Sequence, residues 1–191
     1  LTERIGPLPP PAAETAIVQD YDTGLYSWLS NGPAADRLTE ADALLRRRNA
    51  SVDMLPASAA ARLSDYRLVV LPFLEMMDPP LEDALAAFVE GGGILLSWPR
   101  LACRDRNGKY RASGWTERLR TLFGVDPAER WAIENRPRGE GFVFPAGEVG
   151  EASVPVSLRL PEGPCACRAV GEMEEPEIVG APEILGSYEG G

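Results

Sequence analysis

The sequence Arg67-Leu68-Val69-Val70-Leu71-Pro72 opens a stretch, residues 67–96, that decides the fold of this chain. Its apolar residues run without alternation, which is typical of a strand covered on both faces. Residues 78–90 then have a helical pattern, and the Asp78-Pro79 start offers a side-chain acceptor at the N-cap and a fixed φ after it. Three glycines end this helix, and Ile94-Leu95-Leu96 begins a second buried strand. This order predicts a right-handed β-α-β unit with parallel strands.

Further strands and helices are predicted on both sides of this unit. Residues 15–19 and 51–55 read as buried strands, and residues 34–49 and 115–123 read as helices. The aromatic-rich residues 20–29 receive no assignment. The alternation of strands and helices predicts an α/β fold with a flavodoxin-like, doubly wound parallel sheet.

The composition of the chain changes along its length and suggests three parts. The proline-rich residues 1–14 are predicted to be a linker from a preceding domain, and residues 15–130 to form the α/β domain. Residues 131–191 are predicted to be a β-rich extension, rich in proline and glycine, because residues 153–160 alternate between apolar and polar side chains. We expect this extension to continue beyond residue 191.

Charge and composition narrow the classes of partner. The net charge of −10 argues against nucleic acids and anionic membranes as partners. No apolar run approaches the roughly 18–20 residues that a transmembrane helix needs. The chain has three cysteines, an odd number that does not suggest a set of disulfide bonds, and this favours a reducing, cytoplasmic compartment. Cys165 and Cys167 could share one face of a strand, but without a histidine or a second cysteine pair we expect no metal site, and no motif calls for a cofactor.

The absence of histidine restricts the chemistry more than any other fact of composition. It removes Ser-His-Asp and Cys-His catalysis, and with them the commonest general base near neutral pH. Ser97 has no flanking G-x-S-x-G pattern. The glycines at 91–93 precede a strand, whereas a phosphate-binding loop joins a strand to a helix.

Polar residues that follow the predicted strands form a candidate pocket, because ligands bind at the carboxyl ends of parallel strands. The candidates are Asp20, Asp22, Glu75, Ser97 and Arg100. A pair such as Asp20 with Glu75 could serve as general acid and base, although acidic residues are also common in loops.

Aromatic residues near the predicted loops form a second candidate set, because aromatic anchors concentrate at protein interfaces. They are Tyr21, Tyr26, Trp28, Trp98 and Trp115. The alternative is that they pack in the core.

Several short motifs, in order, resemble the trimerisation domain of glycoside hydrolase family 42 β-galactosidases. They are Gln19-Asp20-Tyr21-Asp22 with Trp28 after it, then residues 66–72, 88–96, 104–108 and 119–125. The resemblance covers residues 15–130 and implies a class I glutamine-amidotransferase-like fold that has lost amidotransferase chemistry. In that wider fold a catalytic cysteine follows the strand matched by residues 94–96, where this chain has Ser97-Trp98; Cys103 lies several residues later.

The resemblance also implies a function. Members of the family carry their catalytic carboxylates on a separate TIM barrel, and no catalytic residue carries over to this chain. We therefore expect a non-catalytic association domain of a β-galactosidase-like glycoside hydrolase, which forms trimers and packs beside such a barrel. Two alternatives stay open. One is a divergent amidotransferase-like hydrolase that uses Cys103 or the carboxylates of Asp20 and Glu75, and the other is a sugar-binding module that uses aromatic residues at strand ends.

Overall fold

The structure is a computed structural model that describes residues 12–29, 34–98, 100–111, 114–132, 153–160, 163–170, 172–178 and 186–188. The first 11 residues of the predicted linker lie outside this description. The chain divides into two compact units between Leu122 and Phe123, a few residues before the predicted boundary at residue 130.

A parallel sheet forms the centre of the first unit. Its strands are β1 (Thr15–Gln19), β2 (Val52–Pro56), β3 (Leu68–Leu71) and β4 (Ile94–Ser97). They lie in the order β2-β1-β3-β4, and every neighbouring pair is parallel. The chain therefore builds outward in both directions from the β1–β3 pair, which confirms the predicted doubly wound α/β sheet.

Helices connect these strands. They are α1 (Tyr21–Leu29), α2 (Ala34–Arg47), α3 (Pro79–Glu90) and α4 (Glu117–Phe123), together with a 3₁₀ segment, Ala57–Asp65. Helices α2, α3 and α4 occupy the predicted positions, whereas α1 fills the stretch that the sequence left unassigned. In the part of the chain that the structure describes, no helix has both the length and the apolar character needed to cross a membrane.

The start of α3 differs from the prediction in one respect. Asp78 is the N-cap residue, but its side chain makes no capping hydrogen bond. Its backbone carbonyl accepts hydrogen bonds from the N–H groups of Leu81 and Glu82 (3.0 Å each), and its carboxylate pairs with Arg106 instead. Pro79 sits at the first position of the helix as predicted.

The core lies on both faces of the sheet. On one face, α2 packs Leu38, Ala41 and Leu45 against Ile17 and neighbouring strand residues. Val18, Val69 and Leu71 point to the opposite face, because side chains alternate along a strand, and they are also buried. Burial on both faces explains why β1 and β3 lack the alternation of a half-exposed strand.

The described residues of the second unit form mainly antiparallel strands. Strand β5 (Val125–Ala132) pairs with β8 (Glu172–Ile178), with an irregularity between Pro127 and Glu129. Strand β6 (Ser153–Leu160) pairs on one side with β7 (Gly163–Val170) and on the other with β9 (Gly186–Tyr188). The alternating segment at 153–160 is therefore the central strand of a three-stranded sheet.

Two glycines provide a matched test of packing in the first unit. A Cβ at Gly93 would overlap the buried ring of Phe88, whereas a Cβ at Gly24, inside α1, would meet nothing within 4 Å. We expect Gly93→Ala to lower the free energy of unfolding by about 1–3 kcal/mol through overpacking. We expect Gly24→Ala to raise it by roughly 0.5–1 kcal/mol, because alanine restricts the unfolded chain and favours the helix. Urea unfolding of both variants checks these values, and equal effects would contradict this view of the Phe88 contact.

Candidate functional site

Helix α1 is attached to the rest of the first unit through small polar side chains. Asp20 caps the helix: the N–H of Thr23 donates a hydrogen bond to Asp20 Oδ2 (2.7 Å). On the inner side, Thr23 Oγ1 accepts a hydrogen bond from the N–H of Met76 (3.1 Å), and Ser27 Oγ accepts one from the N–H of Ala34 (3.0 Å). Both side chains are almost completely buried. The buried face of α1 is thus polar, and its hydrogen-bonding groups have partners.

The outer face of α1 is apolar and exposed. Tyr21, Leu25, Trp28 and Leu29 stand at positions i, i+4, i+7 and i+8, which places them within an arc of about 100° on the helix. Tyr21 is 79% exposed and Trp28 is 76% exposed, and both leucines are also exposed. We call these four residues the α1 stripe. In an ordinary surface helix such a stripe faces the core, so the polarity of α1 is the reverse of the usual arrangement.

A stacked arginine links α1 to the loop that follows β4. The guanidinium carbon of Arg104 lies 4.6 Å from the ring centre of Tyr26 and 3.9 Å from that of Tyr110. Arg104 Nη1 also donates to the carbonyl of Gly108 (2.8 Å). Gly108 has a φ of +76°, and a Cβ there would lie 2.6 Å from the ring of Tyr26. Tyr26 is therefore half-buried in this stack and is not part of the α1 stripe.

The carboxylate of Glu75 binds the same loop, the one that follows β4. Glu75 is 1% exposed. Its Oε1 accepts a hydrogen bond from Arg100 Nε (2.6 Å), and its Oε2 accepts one from Arg104 Nε (3.1 Å). Cys103 Sγ lies 3.7 Å from Oε1, and the backbone N–H of Arg104 donates to the carbonyl of Glu75 (2.9 Å). Arg100 adopts a left-handed backbone (φ +74°), a conformation that costs a non-glycine residue about 1–2 kcal/mol and that the ion pair offsets.

A cavity of about 510 Å³ lies at the carboxyl ends of β1, β2 and β3. Asp20, Asp22, Asp78 and Arg106 line it together with mostly apolar side chains. Arg106 Nε donates to Asp78 Oδ1 (2.6 Å). This bond is the main reason that the pKa of Arg106 lies above its ordinary value, and the negative charges of Asp22 and Asp20 act in the same direction. In the described part of the chain, no cluster of three or more His, Cys, Asp or Glu side chains could hold a metal ion.

The remaining candidates lie at the end of β4 and beyond it. Ser97 Oγ donates to the carbonyl of Trp98 (3.0 Å), and Trp98 is half-buried against the core under α2. Trp115 is buried, and its Nε1–H donates to the carbonyl of Leu101 (2.7 Å). Its ring therefore packs in the core, which is the alternative that the sequence left open for the aromatic set.

The structure thus divides both sets of candidates. Of the pocket residues, Asp20 and Asp22 line the cavity, Glu75 and Arg100 form a buried ion pair, and Ser97 bonds locally. Of the aromatic residues, Tyr21 and Trp28 share one exposed face. Sequence reasoning did not single out Leu25, Leu29 or Arg104. The spacing of the two leucines from Tyr21 would have shown them, had residues 21–29 been taken as a helix.

Comparison with known proteins assigns a family to most of the chain. Residues 13–151 match the family described as the β-galactosidase trimerisation domain. The "Beta-galactosidase Bga" of Halorubrum lacusprofundi is 33% identical over 129 residues, which cover 65% of this chain and 18% of that protein. The chain therefore spans less than a fifth of the length of this curated relative.

Solved structures of β-galactosidases have the same fold. The enzyme of the Antarctic haloarchaeon Halorubrum lacusprofundi aligns with a TM-score of 0.66 at 27% identity, over 93% of this chain and 24% of that one. The cold-adapted enzyme of Rahnella sp. R3 aligns with a TM-score of 0.72 at 19% identity, over 92% of this chain and 25% of that one. At 19% identity the second likeness shows the fold alone.

The buried position of Glu75 gives a stability prediction. We expect Glu75→Gln to lower the free energy of unfolding by about 3–5 kcal/mol, because it leaves the charges of Arg100 and Arg104 without their counter-ion. The matched control is Asp83→Asn, which breaks the exposed pair with Arg118 (2.9 Å) and is expected to cost less than about 1 kcal/mol. Urea unfolding measures both. A loss at Glu75 no larger than that at Asp83 would contradict the role assigned to this ion pair.

Proposed function

The chain belongs to the β-galactosidase trimerisation domain family, and from this membership we propose that it is an association domain that packs against further copies of itself through the α1 stripe. The observation that carries the proposal is the reversed polarity of α1. A helix that buries Thr23 and Ser27 and exposes Trp28 obtains no hydrophobic stabilisation from its large side chains in an isolated chain. These side chains contribute favourable free energy when a second molecule covers the apolar face.

The size of the α1 stripe fits an interface anchor. Covering Tyr21 and Trp28 removes on the order of 300 Å² from water, which is worth about 7–8 kcal/mol before the costs of association. Those costs amount to roughly 4–15 kcal/mol for lost translation and rotation. The stripe therefore supplies a central cluster, and a stable assembly needs further contacts around it.

We further propose that the chain turns over no substrate and that a separate TIM-barrel domain supplies the catalytic carboxylates of a parent β-galactosidase. The first part is supported by the side chains at the carboxyl end of the sheet. Cys103 is buried, and the carboxylate of Glu75 is bound by two guanidinium groups. Asp20, the third residue named by the hydrolase alternative, caps α1 through its Oδ2, so all three residues make structural contacts. The second part rests on the relatives, which are named β-galactosidases and are several times longer than this chain.

We retain the cytoplasm as the proposed compartment. It is supported by the cysteine count, because three cysteines cannot all pair with one another in disulfide bonds.

The mass of the chain in solution tests the α1 stripe. We expect the wild-type chain to be trimeric by size-exclusion chromatography with multi-angle light scattering. Trp28→Glu should be monomeric, because a carboxylate would be buried without a partner in the interface. Leu44→Glu is the matched control, since Leu44 is an exposed leucine (53%) on α2, outside the stripe, and this variant should stay trimeric. Circular dichroism should be unchanged in both. A monomeric wild type, or a Trp28→Glu variant with the wild-type mass, would overturn the proposal.

Assays of turnover and sugar binding test the two alternatives. We expect the purified chain to release no nitrophenol from nitrophenyl β-galactoside and no ammonia from glutamine. We also expect galactose to leave the tryptophan fluorescence unchanged. Turnover that Cys103→Ser or Asp20→Asn abolishes would establish the hydrolase instead. A saturable fluorescence change that Tyr21→Ala removes would establish a sugar-binding module that uses aromatic residues at strand ends.

A further inference from the structure

A second exposed apolar surface lies on strand β4. Ile94 is 63% exposed and Leu96 is 46% exposed, and both point to the same face of the sheet because they are two residues apart. Leu68 pairs with Ile94 in the sheet, and Trp98 continues the line of alternate residues; both are half-buried. We call Ile94, Leu96 and Trp98 the β4 row.

Helix α2 explains why this row is uncovered. The helix packs on Ile17 of β1, Val52 of β2 and Val70 of β3, which lie on the same face as Ile94 and Leu96. Among the strands that the structure describes in this sheet, β4 is the outermost one beyond β3, so α2 packs against the other three strands and Ile94 and Leu96 stay exposed. Adjacent exposed apolar side chains of this kind are typical of surfaces that bind another molecule.

The two apolar surfaces differ from the other exposed apolar residues of the first unit. Leu44 on α2 and Met54 on β2 are exposed singly, and single exposed residues of this kind need no explanation. Tyr110 belongs to the stack with Arg104. The α1 stripe and the β4 row each combine several large side chains on one element, and neither covers the other within one chain.

We propose that the β4 row of one copy receives the α1 stripe of the next copy, so that the chain associates head to tail. This inference rests on the proposed self-association and specifies its geometry. A ring of three copies is heterologous, so each copy must present two different surfaces that fit one another. A single self-complementary surface would give a two-fold dimer instead. The first unit provides two such surfaces on different elements.

The dimensions of the two surfaces agree. From Tyr21 to Leu29 the helix rises about 12 Å, at about 1.5 Å per residue. From Ile94 to Trp98 the chain extends about 13 Å, at about 3.3 Å per residue. A helix with one apolar stripe can therefore lie along the exposed side chains of β4, as α2 lies along the other three strands of the same face. In this arrangement the α1 helix of the neighbour completes the helical layer of the sheet.

The experiment combines two variants that each retain one of the surfaces. Trp28→Glu disables the α1 stripe, and Ile94→Lys disables the β4 row. Leu44→Glu and Met54→Lys introduce the corresponding charges at exposed positions outside both surfaces and serve as controls. Circular dichroism and thermal unfolding verify that every variant is folded, and light scattering gives the mass of each variant alone and of the equimolar mixture.

The head-to-tail arrangement predicts a specific pattern of masses. Each of the two variants alone should be monomeric, and both controls should remain trimeric. The mixture should form a complex of two chains and nothing larger, since only one intact pair of surfaces exists between the two variants. This complex has a single interface, so it should be sought above the concentration at which the wild-type ring assembles.

Other outcomes identify which proposal fails. A monomeric wild type would overturn the self-association itself. A wild-type trimer with a monomeric Trp28→Glu variant and a trimeric Ile94→Lys variant would keep the proposed function and overturn the pairing with β4. Dimers of Ile94→Lys alone would indicate that α1 packs on α1, and association of Trp28→Glu alone would indicate that β4 packs on β4. A mixture that stays monomeric would also overturn the pairing.

Discussion

The buried carboxylate of Glu75 is the constraint on which the outer part of the first unit depends. It follows β3 and binds Arg100 and Arg104, which both belong to the loop after β4. Because a buried carboxylate is paired with two largely buried guanidinium groups, removing any one of the three leaves a buried charge without its partner. Arg104 in turn lies between the rings of Tyr26 and Tyr110. The position of α1 is thus tied, through one stacked arginine, to an ion pair in the core.

These contacts explain how α1 keeps its position although its apolar face is exposed to solvent. The helix is short, and its buried side offers only small polar groups, so hydrophobic burial does not hold it in place. The hydrogen bonds that Thr23 and Ser27 accept from the backbone, and the stack of Arg104 on Tyr26, hold it instead. The large side chains of the helix are then available for contacts outside the chain, which is the property that our proposal uses.

The sequence predicted the sheet well because β1 and β3 are covered on both faces, and a continuous apolar run such as residues 68–71 has few other interpretations. It left α1 unassigned although the apolar residues of this segment have helical spacing, and that spacing indicates an apolar face without indicating that the face points outward. Thr23 and Ser27, the residues in the interior, carry no hydrophobic signal. The partners of Glu75 and Asp78 lie more than twenty residues away, and spacing alone cannot identify them.

At the carboxyl end of the parallel sheet, polar side chains make contacts within the chain. Open α/β sheets bind ligands in the crevice at this end, near the point where the strand order reverses. In this chain Glu75 lies there, and its lone pairs are directed to Arg100 and Arg104, while the carboxylate of Asp20 caps α1. Groups that could have met a substrate are instead used to fix the helix and the loop. In the proposed assembly these contacts hold the α1 stripe in one orientation, and an interface formed by a pre-organised surface loses less conformational entropy on assembly than one formed by a loop.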